Sequence, residues 1–176
     1  MQKPEKEKIL YKAVLVFFID PKTNKILLAI HLKHIGEGKY NSYGGGIEPG
    51  ETERRACVRE VKEESGGMTV CKDDLQKRAD AYFTNTTEDG KSFVCHVAVF
   101  VTYTWKGKAR TTEEMAHPEW FKLSNLPVNN MMPADPFWLP LIYYRRKIIV
   151  KAKYGPRQAY LIGPVEIEEV EVLTEG

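Results

Sequence analysis

The sequence predicts an α/β fold in a single domain spanning its 176 residues. Runs rich in β-branched and aromatic residues recur along the chain, as in ILYKAVLVFFID and SFVCHVAVFVTYT, and read as strands. A charged helix is expected after a glycine-rich turn between those runs. A second helical spacing, Trp138, Leu141, Ile142 and Arg145, stands near the C-terminus. A chain of this length buries a core without disulfides.

Taken in order, residues 1–8 are charged and expected to fray. Leu10 to Ile19 reads as a buried strand. Asp20 to Asn24 is a turn, and Lys25 to Ile30 completes a hairpin. His31 to Tyr40, with two glycines and mixed charge, reads as a loop. The consecutive glycines Gly44, Gly45 and Gly46 are expected where the backbone adopts conformations other residues dislike. A helix is expected from Glu53 to Ser65, capped by Thr52 and stopped by Gly66-Gly67. Ala56, Cys57, Val58 and Val61 form its buried stripe.

Ala79 to Thr84 and Ser92 to Thr104 read as a hairpin around Thr87 to Gly90. Lys106 to Glu114 is a polar connection, Glu119 to Lys122 a short strand, and Ser124 to Asp135 irregular. Pro136 to Lys147 is the second helix, with Pro140 in its first turn, where proline is tolerated. Ile148 to Tyr154 and Ala159 to Val165 are expected as a last hairpin. The tail EIEEVEVLTEG alternates like an edge strand.

Bulk properties narrow the function. A net charge of +2 is too small to argue for nucleic-acid binding. The basic residues are dispersed except for Arg145-Arg146-Lys147, read as a solvated helix end. Three widely spaced cysteines, Cys57, Cys71 and Cys95, form no CxxC pattern. They point to a reduced protein with buried or half-buried thiols. MQKPEKEKIL lacks a signal-peptide apolar region, and the run Ala13 to Ile19 is too short to span a membrane. The expectation is a cytoplasmic protein with no membrane partner.

The chemistry concentrates in GGIEPGETERRACVREVKEESGG, Gly45 to Gly67. Glu60, Glu63 and Glu64 stand at i, i+3 and i+4, on one helix face, where like charges repel. A divalent cation removes the conflict. Carboxylate oxygens with incomplete protein coordination suit magnesium, which keeps waters and takes phosphates as further ligands. The blander reading is a solvated acidic helix.

Spacing separates these readings. Gly45, Glu51 and the run Arg59-Glu60-Val61-Lys62-Glu63-Glu64-Ser65-Gly66 resemble the Nudix box of the Nudix hydrolases. Gly67 stands where that box has a bulky apolar residue, a departure that touches packing and removes no ligand. The resemblance implies an α/β/α sandwich around a central mixed sheet. It implies hydrolysis of a nucleoside diphosphate linked to another group, with Mg2+ as cofactor and Mn2+ as a substitute. Glu60, Glu63, Glu64 and the Gly45 carbonyl then look like metal ligands. Glu64 would orient or deprotonate the attacking water, and Arg59 would fix the loop by pairing with Glu51.

Beyond the box, NSYGGGIEPGE, MAHPEWFKLSNLP, MMPADPFWLPLIYYRRK and YGPRQAYLI resemble the oxidised purine nucleoside triphosphatase branch, of the 8-oxo-dGTP diphosphatase type. The resemblance implies nucleotide-pool cleansing, with a nucleoside monophosphate and pyrophosphate as products. It places Asn41, Phe83, Met132 and Asp135 around the base. Methionine and Ala134 replace an aromatic and an aspartate of that branch, which bears on base preference and not on hydrolysis. Glu114, with Glu113 as its rival, matches a late metal-binding glutamate, and Lys33 is a candidate phosphate contact. The implied partner is a small nucleotide, without nucleic acid, on a monomer or homodimer. The alternatives are a dinucleotide, nucleotide-sugar or RNA-cap substrate, or a Nudix module that binds without turnover.

Overall fold

In the computed structural model, residues 9–176 are described, so the expectation for residues 1–8 lies outside the described residues. Among the described residues nine strands form one mixed sheet. They are β1 (Lys12–Asp20), β2 (Lys25–His31), β3 (Tyr40–Asn41), β4 (Tyr43–Gly46), β5 (Gln76–Thr86), β6 (Ser92–Thr102), β7 (Met115–Lys122), β8 (Ile148–Pro156) and β9 (Glu166–Glu169). The order is β3-β2-β1-β6-β5-β8-β9, with β4 paired to β1 and β7 to β2. β1 runs parallel to β6 and β5 parallel to β8; the other pairs are antiparallel. Helix α1 spans Glu53–Glu64 and α2 spans Asp135–Tyr143.

β1 shows why this is a sandwich. Its side chains alternate between faces, and both faces are covered. Phe17 and Ile19 join Trp138, Leu139 and Ile142 of α2 in one core. Val14, Val16 and Phe18 join Ala56, Cys57 and Val61 of α1 in the other. A strand buried on both sides reads as a continuous apolar run, and KAVLVFFID is one. The expected α/β/α arrangement is therefore present, with one helix on each face of the sheet.

Helix α1 starts as its sequence demands. The Thr52 hydroxyl accepts from the Arg55 N–H, and Gly66 past the end takes φ 70°. The tail anchors its first turn, where the Glu53 N–H donates to the Gly176 carbonyl at 2.9 Å. Behind it Lys77, almost fully buried, reaches Glu53 at 2.9 Å, Asp80 at 2.8 Å and the Thr174 carbonyl at 2.6 Å.

Several expectations need correction. The glycine stretch forms β4, and Gly44, Gly45 and Gly46 are absent from the residues with positive φ. Close approach explains them, because a Cβ on Gly44 would collide with the Val14 carbonyl oxygen. The second helix ends at Tyr143, four residues before Lys147, and Pro140 lies inside it, beyond its first turn. Arg145 takes φ 65°, which turns the chain into β8. Arg145 lies over the Tyr103 ring, Arg146 pairs with Glu169 and Lys147 donates to the Glu171 carbonyl at 3.2 Å, so the basic trio is tied down at all three positions. The antiparallel partner of β8 is Glu166–Glu169, in the tail expected as an edge strand, and the expected hairpin partner Ala159 to Val165 contributes one bridge, Tyr154 to Leu161. Val58 is only half-buried on α1, and Cys71 is exposed, whereas Cys57 and Cys95 are buried.

Lys77 neutralises two buried carboxylates beside α1. Removing one partner of such an arrangement leaves charge uncompensated and costs about 3–5 kcal/mol. Lys77→Met is expected to lose stability of that order in urea unfolding, with the midpoint falling and the slope unchanged.

Candidate active site

The acid cluster is assembled where α1 packs on β4. Glu60 and Glu64 are buried, while Glu63 is exposed. A Cβ on Gly45 would lie 2.6 Å from Glu60 Oε1, so glycine leaves the space the carboxylate fills. The Gly44 N–H donates to Glu64 Oε2 at 3.0 Å.

Arg59 ties the loop to the helix. Its Nε and Nη2 donate to the two oxygens of Glu51, each at 2.8 Å, and Nη2 also donates to the Gly46 carbonyl at 2.9 Å. Its Nη1 reaches Glu60 at 2.6 Å and Glu63 at 3.3 Å. Such a bidentate charge-assisted pair fixes geometry as well as energy. The expected pairing of Arg59 with Glu51 is present.

Glu114, rather than Glu113, completes the cluster. Its charge acts on Glu60, Glu64 and His31. The Thr112 hydroxyl holds its loop to the end of α1, donating to the Glu64 carbonyl at 3.0 Å. Burial, with the charges of Glu60 and Glu114, pushes Glu64 up to about 8. Burial raises Glu60 too, against the pull of Arg59. Glu51, Glu60 and Glu63 thus share the guanidinium of Arg59, while Glu64 and Glu114 add their carboxyls beside Glu60. An all-oxygen donor set with this excess of negative charge fits a hard divalent cation.

A tighter trio lies elsewhere. Ligand atoms of Glu53, Asp80 and His96 fall within 4.8 Å of one another. The Lys77 ammonium already sits against Glu53 and Asp80, so that group has its cation in covalent form.

On the α2 side of β4 a cavity of about 180 Å3 brings together Asn41, Phe83, Met132 and Asp135, four residues distant in sequence. Gly44 and Gly45 form part of its wall, so it borders the acid cluster. Its volume lies below the roughly 300–1,000 Å3 typical of ligand pockets, and suits one ring system. Asn41 Oδ1 accepts from the Ser42 N–H at 2.8 Å, which leaves its amide N–H groups as donors. Phe83 packs edge-on to Tyr154 at 5.6 Å. Burial raises Asp135 to about 7, close to neutrality.

Three placements depart from the sequence reading. Lys33 is exposed and lies off the cavity; His31, two residues earlier, lines it. Burial lowers His31 to about 4, which keeps its imidazole neutral. Ala134 is fully buried in the core under α2 and lies outside the cavity wall. Leu10, Tyr154 and Gln158 line the cavity without having been singled out. The last two fall in YGPRQAYLI, a stretch whose resemblance carried no residue role.

The NUDIX domain family model matches residues 10–141. The chain belongs to the Nudix family. It is 30% identical over 159 residues to the zebrafish (Danio rerio) "Oxidized purine nucleoside triphosphate hydrolase", covering 90% of this chain and 95% of that protein. It is 33% identical over 118 residues to an "ADP-ribose pyrophosphatase" of Methanocaldococcus jannaschii, covering 67% of this chain and 66% of that one. Among solved structures, the MutT protein of Bacillus halodurans superposes with a TM-score of 0.73 at 19% identity, covering 90% of this chain and 98% of that one. That last likeness shows the fold. The chain is a Nudix hydrolase, and among its described residues no helix is long and apolar enough to cross a membrane.

The raised Glu64 carboxyl sets a sign for pH dependence. Between the ordinary value of 4.5 and about 8, the folded chain keeps a proton that the unfolded chain has released. Stability therefore falls as pH rises through that window. Asp135 adds the same sign between 3.8 and about 7. Without metal, the melting temperature is expected to decline from about pH 5 to about pH 8. Added Mg2+ should restore it increasingly with pH, and Glu64→Gln should flatten the decline. Melting curves across pH with and without Mg2+ check this.

Proposed function

We propose that this Nudix hydrolase cleaves purine nucleoside triphosphates, oxidised purines included, to a nucleoside monophosphate and pyrophosphate, with Mg2+ as cofactor and Mn2+ as a substitute. One observation carries the reading: the cavity lined by Asn41, Phe83, Met132 and Asp135 shares the Gly44-Gly45 wall with the acid cluster. The zebrafish relative's name agrees with it.

The residues divide the work. Phe83 offers a ring face and Met132 a polarizable sulfur to a base. Asn41 offers amide donors, and Asp135, close to its proton's release, offers a donor or an acceptor to a purine edge. Glu60, Glu63, Glu64, Glu114 and the Gly45 carbonyl would hold the cation. When bound, that cation screens the polyphosphate charge and polarises a phosphoryl oxygen. Glu64 takes the proton of the attacking water, and Arg59 holds Glu60 and Glu63 in place. His31 stands neutral between the cavity and Glu114, and Lys33 is available only to a phosphate that leaves the cavity.

A panel of ordinary and oxidised nucleoside triphosphates with Mg2+ tests the reading. Pyrophosphate and a monophosphate are the expected products. Release of single phosphate, or no turnover across the panel, would overturn it. Phe83→Ala and Asp135→Ala are expected to raise KM about tenfold or more each, at about 1.4 kcal/mol per tenfold, with a smaller change in kcat. Equal KM across wild type and both variants would place the base elsewhere.

A further inference from the structure

Tyr43 opens β4 and is fully buried in the core under α1. Its ring packs edge-on to Phe18, with centroids 6.0 Å apart. Its hydroxyl is buried and has no hydrogen-bond partner among the described residues. A buried polar group left unpaired costs about 1–3 kcal/mol, and phenylalanine would fill the same volume without that cost. The phenol therefore needs a reason to be there.

The reason lies one residue on. The Gly44 N–H is the donor that the Glu64 carboxylate has on this strand. Tyr43 lies near enough to Glu64 for a charge on that carboxylate to act on its phenol. Among the described residues the side chains at Glu64 supply no lasting donor: the Glu114 carboxyl bonds to it through a shared proton that a cation would displace, Glu60 is a further acid, and the Thr112 hydroxyl is spent on the backbone carbonyls of Glu64 and Met115. A carboxylate held by one donor can still rotate about its last bond.

We propose that Tyr43 is a positioning residue for the reaction: its hydroxyl donates to the Glu64 carboxylate in the cation-loaded site. With the Gly44 N–H it fixes the plane of that carboxylate. The remaining lone pairs then face the cation and the attacking water. This rests on the reading of Glu64 as ligand and base, and deepens it.

Tyr43→Phe keeps the ring and removes only the hydroxyl. Binding of Mn2+ to the nucleotide-free protein, followed by electron paramagnetic resonance, reads the proposal independently of substrate. Mn2+ affinity is expected to weaken about tenfold, and kcat to fall comparably. KM for the nucleotide should stay within about twofold, a margin similar to that for independent sites. The metal-free melting temperature should hold or rise, since an unpaired group is lost. In a Glu64→Gln background the same change should add nothing to the loss of Mn2+ affinity.

Unchanged Mn2+ affinity with a raised melting temperature would overturn the proposal. Full additivity with Glu64→Gln would overturn it as well. Wild-type protein that binds Mn2+ but turns over no triphosphate would sink the substrate reading alone, and the Mn2+ comparison would still decide on Tyr43.

Discussion

The site depends on one guanidinium. Arg59 spans β4, the loop after it and α1 through bonds to the Gly46 carbonyl, both oxygens of Glu51, Glu60 and Glu63. Without it the acids of α1 would be free to splay toward water, as like charges on one face prefer. A planar fork with fixed donors is the side chain suited to this; lysine is a single point charge. The surrounding negative charges make that guanidinium harder still to deprotonate. The glycines complete the clamp from the opposite side, since any side chain on Gly45 would occupy the place of the Glu60 carboxylate.

How much of this was legible in the sequence follows from the range of each interaction. Helix α1 was readable almost to the residue, because its cap, its apolar stripe and its terminal glycines are all local. β1 was readable because burial on both faces leaves an unbroken apolar run. β4 was not, because glycine has poor strand propensity and this strand exists through its partner β1. The C-terminal boundaries failed for a similar reason. The alternation of the tail marked Glu166–Glu169 as an edge strand, but its pairing with β8 is a long-range choice that four exposed residues do not reveal.

The site shows the same division. The acid cluster is a local motif, so its spacing exposed it. The cavity gathers residues from β3, β5, the segment before α2 and β8. Only likeness to a family could join Asn41 with Phe83, Met132 and Asp135. Small offsets marked the limit of that likeness. Lys33 and His31 are two residues apart on a turning loop, and the fold alone shows that His31 faces inward. Lys77 gave no signal: a lysine buried against Glu53 and Asp80 looks in sequence like any strand lysine.

The two halves of the site lie on opposite faces of the sheet. Glu60 and Glu64 belong to the α1 face, while Phe83 and Met132 stand on the α2 side. Between them is the thin wall of β4, where glycines let both sides approach the same backbone. Side chains on one face can therefore change while those on the other keep their packing. Replacing an aromatic by Met132 reshapes the cavity and leaves every bond of Arg59 in place. This separation is a physical basis for one hydrolytic motif serving differently named relatives, the zebrafish and archaeal proteins among them. On the proposed reading this chain's selectivity resides in the lining contributed by β3, β5, β8 and the stretch from Met132 to Asp135, rather than in the helix that carries the acids.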